Sequence, residues 1–266
     1  MFIPGTHDSG SYAGVSPLVE NYVLNQDRNV WTQLVSGIRY LDFRIGYYNR
    51  EGFFINHDLI RVTRIGPILQ EIRKFLELAP KEIVVVDFHR FPYPTNFSHE
   101  IHRQFVDILY KELGQFALPS WQLQSGEGPT LNDIWARNRN LIICYAEREI
   151  VRDNQWLWSP LQQFWGDTNK VPELKRYLER TIREQRPVSP NPMWALMAEL
   201  TPTPLDIIFR TNSLKKLAQE INGEVTKWFR DEWVNETNIV ATDYFLGNDL
   251  INVAIHANVA QGILKV

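Results

Sequence analysis

The amino-acid sequence predicts an α/β fold, a distorted or incomplete TIM (β/α) barrel in which residues 1–266 form a single domain. Short apolar runs alternate with longer amphipathic segments, a pattern typical of βα units around a largely parallel sheet. A length of 266 residues with 44% hydrophobic residues is sufficient for one such barrel. No linker-like stretch, low-complexity run or internal repeat divides the sequence.

Seven apolar runs are predicted to be strands, and the segments between them supply the helices. The clearest strand begins at Ile83, where a continuous β-branched run indicates burial on both faces. The strands are predicted at residues 2–4, 38–43, 53–56, 83–88, 141–145, 194–198 and 239–242, with the first ending at a Pro-Gly turn. Helices are predicted at residues 67–76, 98–113, 130–137, 172–184, 206–229 and 248–260. The Gly-rich phosphate motifs of nucleotide-binding sheets do not occur, which favours a barrel over an open sheet.

Composition and charge restrict the classes of partner and compartment. A formal net charge of −3 gives no reason to expect nucleic acid as a partner. The single cysteine, Cys144, lies in an apolar run, so we expect a buried thiol rather than a disulfide. No apolar run reaches the roughly 18 to 20 residues that span a bilayer. We therefore predict a cytoplasmic protein, or a secreted one if an upstream leader is missing.

Ionisable residues follow the predicted strands repeatedly. They are His7 and Asp8 after the first strand, then Asp42, Arg44, His57, Asp58, Asp87, His89, Glu199 and Asp243. One such residue would be read as a solvated cap, but six strand ends in succession are hard to explain in that way. Because α/β barrels build their active sites at the carboxyl ends of the strands, these positions predict one shared site.

Two of these residues, His7 and His57, suit the cleavage of a phosphodiester. Such a reaction needs a base that takes a proton from the attacking hydroxyl and an acid that protonates the leaving oxygen, and imidazole can do both near neutral pH. The phosphoryl group also needs a fixed positive charge, for which Arg44 is the candidate. Asp42 lies on the same strand face and is predicted to hold the guanidinium. The alternative is an Asp42–Arg44 salt bridge that only links strands of the barrel.

The motifs that carry these residues resemble the X-domain of the phosphatidylinositol-specific phospholipases C. The motifs are Ile3-Pro4-Gly5-Thr6-His7-Asp8-Ser9, Gly37-Ile38-Arg39-Tyr40-Leu41-Asp42-Phe43-Arg44 and His57-Asp58. Two later motifs, Val85-Val86-Asp87-Phe88-His89 and Glu199-Leu200-Thr201-Pro202, are similar to the X-domain-only members of that family. The resemblance extends over essentially the whole chain, and the family fold is a distorted TIM barrel.

The resemblance implies a role for each matching residue. His7 would be the general base that deprotonates the inositol 2-hydroxyl, and His57 the general acid for the diacylglycerol oxygen. Asp8 would pair with His57, and Asp243 would orient His7, although a capping role is an alternative for each carboxylate. Arg44 matches the bacterial branch, where arginine takes the place of calcium. We therefore expect no metal and no cofactor.

The positions that would contact the head group depart from the bacterial pattern. Bacterial enzymes have basic residues at the ends of the fourth and fifth strands, where this chain has Asp87, His89 and Tyr145. His89 could replace a lysine, or it could be satisfied within the strand-end network, as could Asp87. Trp165 and Asp167 could stack on and hydrogen-bond a cyclitol ring, with a packing tryptophan as the alternative.

Several large apolar side chains at residues 155–165 could contact a membrane. If they are exposed at the barrel mouth, they would insert at the level of the lipid head groups. The alternative is that they cover the barrel end as ordinary core. Without a polybasic anchor, contact with the membrane surface is predicted to be transient.

The residues, together with the resemblance, thus imply an enzyme that cleaves phosphatidylinositol between glycerol and phosphate. One alternative is a metal-dependent phosphodiesterase on the same barrel, such as a glycerophosphodiesterase or a sphingomyelinase D-like enzyme, which would need a Glu-x-Asp pair where Arg44 lies. A second alternative is a catalytically silent module that binds phosphoinositides.

Overall fold

The computed structural model describes residues 1–120, 130–184 and 193–263. Within this part of the chain, nine strands form one sheet. The strands are β1 Ile3–Thr6, β2 Tyr40–Tyr48, β3 Gly52–His57, β4 Ile60–Arg64, β5 Val84–Tyr93, β6 Leu141–Tyr145, β7 Gln162–Trp165, β8 Trp194–Met197 and β9 Ile239–Thr242. The helices are α1 Val30–Ser36, α2 Ile65–Leu78, α3 His99–Leu113, α4 Leu131–Trp135, α5 Arg148–Asp153, α6 Val171–Glu184, α7 Pro204–Phe209, α8 Leu214–Asp231 and α9 Leu250–Ile263. Two short 3-10 helices lie at Glu20–Tyr22 and Phe245–Gly247.

The sheet curls into an open barrel. Parallel pairing joins its strands in the order β6-β5-β2-β1-β9-β8-β7. Within the described residues β6 and β7 are not paired with each other, so the barrel is open between them. The predicted distorted barrel is confirmed.

A hairpin extension interrupts the βα pattern after β2. The second half of β2 pairs antiparallel with β3, and β3 pairs antiparallel with β4. The strand predicted at residues 53–56 is therefore a hairpin return and not a βα unit. The short strands β4 and β7 were not predicted, because β4 carries two arginines and β7 begins with two glutamines. The extension ends β3 at His57, which brings this residue back toward the barrel mouth.

Helix prediction was wrong at three places. The short helices α1 and α5 were not predicted, because seven and six residues give too little periodicity. The single helix predicted at residues 206–229 is two helices, α7 and α8. Arg210 ends α7 in the left-handed conformation at φ 52°, and Ser213 caps α8 by accepting a hydrogen bond from the Lys216 N–H.

Side chains alternate between the barrel interior and the layer of helices. On β2, Leu41 and Phe43 join the core under the helices, whereas Tyr40 fills the barrel interior. Asp42 and Arg44 share the interior face of β2 with Tyr40, because strand residues two apart point the same way. Cys144 is a buried thiol in the interior cluster, as predicted. The apolar lower part of the barrel thus supports ionisable side chains at the carboxyl ends of the strands.

The Pro-Gly pair of β1 is not a turn. Gly5 lies within the strand, and a Cβ at this position would lie 2.6 Å from Cδ1 of the Tyr40 ring. Gly5 is therefore required for the close approach of Tyr40 across the barrel. The chain turns after His7, at Asp8, whose φ of 40° is left-handed. This places His7 at the carboxyl end of β1.

No helix in the described ranges is both long and apolar enough to cross a lipid bilayer.

Candidate active site

A cavity of about 420 Å³ opens at the carboxyl ends of the barrel strands. Eight of the residues predicted from the sequence to form the site line this cavity, namely His7, Arg44, His57, Asp58, His89, Trp165, Glu199 and Asp243. The wall also includes Tyr22, Asn25, Gln163, Tyr177 and Thr201. The barrel thus brings together residues that are up to 236 positions apart in the chain.

His7 is oriented by Asp243. The Nδ1 atom of His7 lies 2.9 Å from Oδ1 of Asp243, and His7 is only 8% exposed. Asn25 donates its side-chain N–H to the same carboxylate, at 3.0 Å from Oδ1 and 3.2 Å from Oδ2. Sequence reasoning missed Asn25, because it lies in the loop before α1 and no motif marks it. The pair fixes the ring so that Nε2 faces the cavity.

Arg44 contacts the other nitrogen of this imidazole, with Nη2 at 2.6 Å from His7 Nε2. A guanidinium only donates, so Nε2 accepts and the imidazole is neutral in this arrangement. Burial lowers the pKa of His7, but the carboxylates of Glu199 and Asp243 outweigh burial and raise that pKa to about 9. The contact with Arg44 therefore shows the unprotonated form, whose share grows as the pH rises toward 9, and the two carboxylates stabilise the protonated form once His7 has taken a proton.

The carboxylate partners of Arg44 and His57 differ from those predicted. Asp8 lies 3.8 Å from Nη1 of Arg44, and within the described residues neither of its oxygens has a hydrogen-bond partner. Asp42 instead accepts hydrogen bonds from the Asp8 N–H at 3.1 Å and from the Gln163 amide at 3.0 Å. The predictions that Asp8 pairs with His57 and that Asp42 holds the guanidinium are corrected accordingly. The left-handed turn at Asp8 is the physical reason, since it directs this carboxylate toward β2.

Protonation of these two carboxylates follows from their surroundings. Burial raises the pKa of Asp8 to about 7, although Arg44 and His7 act in the opposite direction. Burial also acts to raise the pKa of Asp42, but Arg44 and His7 outweigh it and the net shift is downward. Asp42 is therefore ionised near neutral pH, close to the charge of Arg44.

His57 lies at the end of β3 on the wall of the same cavity. Burial and then the positive charge of Arg44 lower the pKa of His57 to about 4, so this imidazole is neutral near pH 7. A phosphodiester anion at Arg44 would offset the guanidinium charge and raise the pKa of His57. A general acid requires a pKa raised toward the working pH, so this shift would suit His57 to that role.

His89 and Asp87 take different positions. His89 lines the cavity, and burial lowers its pKa to about 4. Asp87 lies deeper, 4.0 Å from His89 Nδ1, and accepts a hydrogen bond from the Tyr40 hydroxyl at 3.0 Å. Gln163 donates to Tyr40 at 2.9 Å and to Asp87 at 3.2 Å, as well as to Asp42. Gln163 was missed because its strand, β7, was not predicted.

Two predicted contacts with the head group lie outside the cavity. Tyr145 is fully buried on the outer face of β6, where its hydroxyl lies 2.8 Å from His102 Nδ1. The alternation of β6 gives the interior position to Cys144 instead. Asp167 is exposed and lines a separate cavity beside α6. These two predictions are therefore wrong in position, and neither residue is retained as a substrate contact.

Most of the aromatic segment at residues 155–165 is core. Leu157, Trp158, Leu161 and Phe164 are at most 5% exposed, so the prediction that this segment meets a membrane is not supported. Trp165 is the exception, because it is 41% exposed and lines the cavity. Its indole N–H donates to Thr201 Oγ1 at 2.9 Å, which fixes the ring at the cavity wall.

The described residues contain no group of three or more histidine, cysteine, aspartate or glutamate side chains that could hold a metal ion. The positive charge available at this site is that of Arg44, supplemented at the cavity wall by Arg90.

The fold and this pocket define the chain as an α/β barrel with two histidines and an arginine, His7, His57 and Arg44, at the carboxyl ends of its strands. No protein-family model matches the chain. It is 26% identical over 250 residues to the human PI-PLC X domain-containing protein 1, covering 91% of this chain and 74% of that protein. The resemblance to the phosphatidylinositol-specific phospholipase C X-domain family predicted from the motifs is confirmed.

Solved structures show the same fold. The phosphatidylinositol-specific phospholipase C of Listeria monocytogenes superimposes with a TM-score of 0.71 and 21% identity, covering 96% of this chain and 92% of that one. The S. aureus enzyme superimposes with a TM-score of 0.70 and 17% identity, covering 96% and 91%. At these identities the likeness establishes the fold alone.

Proposed function

We propose that this protein is a phosphodiesterase of the phospholipase C type that cleaves phosphatidylinositol between glycerol and phosphate. The observation that carries the proposal is the convergence of His7, His57 and Arg44 on one cavity at the carboxyl ends of the strands. The named relatives and structural neighbours support the choice of substrate.

The proposed reaction begins at His7. Substrate binding draws Arg44 from Nε2 of His7 to the phosphate, and the inositol 2-hydroxyl takes its place at Nε2. His7 accepts the hydroxyl proton while the oxygen attacks phosphorus, and Asp243 and Glu199 stabilise the resulting imidazolium. His57 takes up a proton from solvent once the bound phosphate anion has raised its pKa; the bond from phosphorus to the glycerol oxygen then breaks, and His57 gives that oxygen this proton. The products are diacylglycerol and a cyclic inositol phosphate, which water can open in a second step.

The direct test is to incubate the protein with phosphatidylinositol vesicles, with and without EDTA, and to measure diacylglycerol and inositol phosphates. Release of both products in EDTA supports the proposal. Release only with an added divalent metal would favour the metal-dependent alternative. Binding to phosphatidylinositol without any product would favour the silent module.

The structure suggests a different membrane contact from the one predicted. Helix α7 follows β8 at the barrel mouth, and its residue Ile207 lines the cavity. Leu205, Ile208 and Phe209 on the same helix are 63%, 68% and 69% exposed. Asp206 holds the helix start by accepting a hydrogen bond from the Thr203 N–H at 2.9 Å. We propose that this ordered apolar helix is the part of the rim that inserts among lipid head groups, because it lies beside the entrance that a lipid must reach.

Replacement of Ile208 and Phe209 together by serine is expected to lower affinity for phosphatidylinositol vesicles by about 10-fold or more, since apolar burial is worth roughly 1.5–3 kcal/mol per large side chain. Activity on a short-chain, water-soluble phosphatidylinositol should stay at the wild-type level. Vesicle sedimentation and initial rates on both substrates measure the two effects.

The matched control is the replacement of Ile255 and Val259 by serine. These side chains are 54% and 57% exposed on α9. The neighbouring Asn258 bonds to Phe2 at the opposite end of the barrel. Equal losses of vesicle affinity in both double variants would rule out α7 as the membrane contact.

A further inference from the structure

Glu199 is a buried carboxylate that the proposed proton transfers do not consume. It lies two residues beyond β8, on the same alternating face as Met197, and both residues line the cavity. Glu199 is 2% exposed, yet within the described residues neither of its side-chain oxygens has a hydrogen-bond partner. A buried carboxylate without donors is costly, and a ligand that brings donors would offset that cost.

The surroundings of Glu199 indicate the chemistry of that ligand. Arg44, His57 and Arg90 line the side of the cavity at the paired strands β2, β3 and β5, whereas Glu199 and Thr201 follow β8, which β1 and β9 separate from β2. An anionic phosphodiester suits the first side, because its charge is opposite to that of the guanidinium groups. The second side has an unpaired negative charge and suits neutral hydroxyl groups, whereas a second phosphate there would meet like charge.

Aromatic side chains and the nearby base extend this argument. Trp165 and Tyr177 line the cavity together with Glu199, and they offer flat apolar faces to the C–H faces of a sugar-like ring. The charge of Glu199 also acts on His7, where it is the strongest of the influences that raise the pKa. The carboxylate is therefore near the base, within reach of the ring whose hydroxyl His7 would deprotonate.

Resting on the proposed function, we infer that Glu199 is the specificity-determining residue for the head group: its two free oxygens accept hydrogen bonds from adjacent hydroxyls of an uncharged polyol ring. Glu199 thereby holds the ring with its attacking hydroxyl at His7 and disfavours rings that carry further phosphates. Burial raises the pKa of Glu199 to about 7 despite the nearby His7, so the carboxylate is ionised at pH 8.

The test compares wild type with Glu199→Gln and with the exposed control Glu220→Gln on α8, at pH 8. Calorimetry measures binding of inositol 1-phosphate and of inositol 1,4-bisphosphate. Wild type and the control should bind the monophosphate at least about 10-fold more tightly than the bisphosphate. Glu199→Gln should bind the monophosphate about 10- to 100-fold more weakly than wild type, because hydrogen bonds to a charged group are worth that much. This variant should also bind the two ligands with similar affinity.

Thermal unfolding provides a readout that does not need a ligand. Because Glu199→Gln removes a buried, unpartnered charge, its Tm without ligand should be at or above that of wild type. Equal binding of the monophosphate by wild type and Glu199→Gln, equal binding of both ligands by wild type, or no binding of either ligand would overturn the inference.

Hydrolysis of phosphatidylinositol and of phosphatidylinositol 4-phosphate in mixed micelles is measured in parallel. If wild type shows the expected binding pattern but releases no diacylglycerol, the proposed hydrolysis fails while the role of Glu199 stands. If wild type cleaves phosphatidylinositol but Glu199→Gln keeps both the wild-type rate and the wild-type ratio between the two lipids, the role of Glu199 fails while the hydrolysis stands.

Discussion

His7→Ala and His57→Ala are each expected to lower kcat for phosphatidylinositol by about 10²- to 10⁴-fold, the scale of a general acid or base. His7 is held by Asp243 at 2.9 Å, and its second nitrogen is the one that Arg44 contacts at the cavity, so alanine removes an oriented base. The double variant should fall little further than the worse single variant, because the two groups act on one transition state. Initial rates on mixed micelles measure the effect.

The matched control for these variants is His256→Ala. His256 is exposed on α9, and its Nδ1 atom lies 2.8 Å from the Asn252 carbonyl oxygen. It should retain wild-type kcat, and circular dichroism should show that all three variants are folded. If folded His7→Ala and His57→Ala both kept near wild-type turnover, the acid–base roles proposed here would be wrong.

Arg44→Ala is expected to lower kcat by about 10²- to 10³-fold or more, because it removes the fixed positive charge that faces the developing charge on phosphate. Arg44→Lys should be markedly impaired as well, since a point charge cannot replace the planar fork that lies between His7 at 2.6 Å and Asp8 at 3.8 Å. Wild-type activity should survive EDTA, because the guanidinium supplies the charge without a metal. Initial rates in EDTA and in millimolar Ca²⁺ measure both effects.

Arg44→Asp extends this test. It would place a new carboxylate near Asp8 and Asp42, which gives three oxygen donors where calcium usually takes six to eight ligands. The variant should therefore be inactive or weakly responsive to Ca²⁺. The control Arg103→Ala changes an exposed arginine on α3 and should have no effect on the rate. A wild-type enzyme that is silent in EDTA and restored by calcium would refute the role of Arg44.

The candidate site could be predicted from the sequence to the extent that it depends on strand ends. His7, Arg44, His57, His89 and Asp243 each follow or end a predicted strand, and all five line one cavity. Glu199 was marked as a strand-end residue without a role. Asn25 and Gln163 were missed, because one lies in a loop and the other on a strand too short and polar to recognise.

The carboxylate partners of Arg44 and His57 could not be predicted in this way. Asp8 and Asp42 were placed correctly near the site, but their partners depend on the left-handed backbone at Asp8, which a sequence pattern does not reveal. The exposed apolar surface was also predicted at a different place. Most of the large apolar side chains at residues 155–165 are buried in the core around Trp158, whereas exposed apolar residues lie on the short helix α7, which carries Phe209.

The sequence by itself determined the barrel and the identity of its ionisable residues. Alternation along a strand is a local property, and parallel strands place their carboxyl ends at one edge of a sheet, so the order of residues is enough to predict a shared site. Only the tertiary structure decided which groups touch. The distances among Arg44, Asp8 and Asp243 are set by the strand register, by the open seam between β6 and β7 and by the turn after His7. Hydrogen bonds and pKa shifts depend on distances of a few ångströms, which no local sequence pattern encodes.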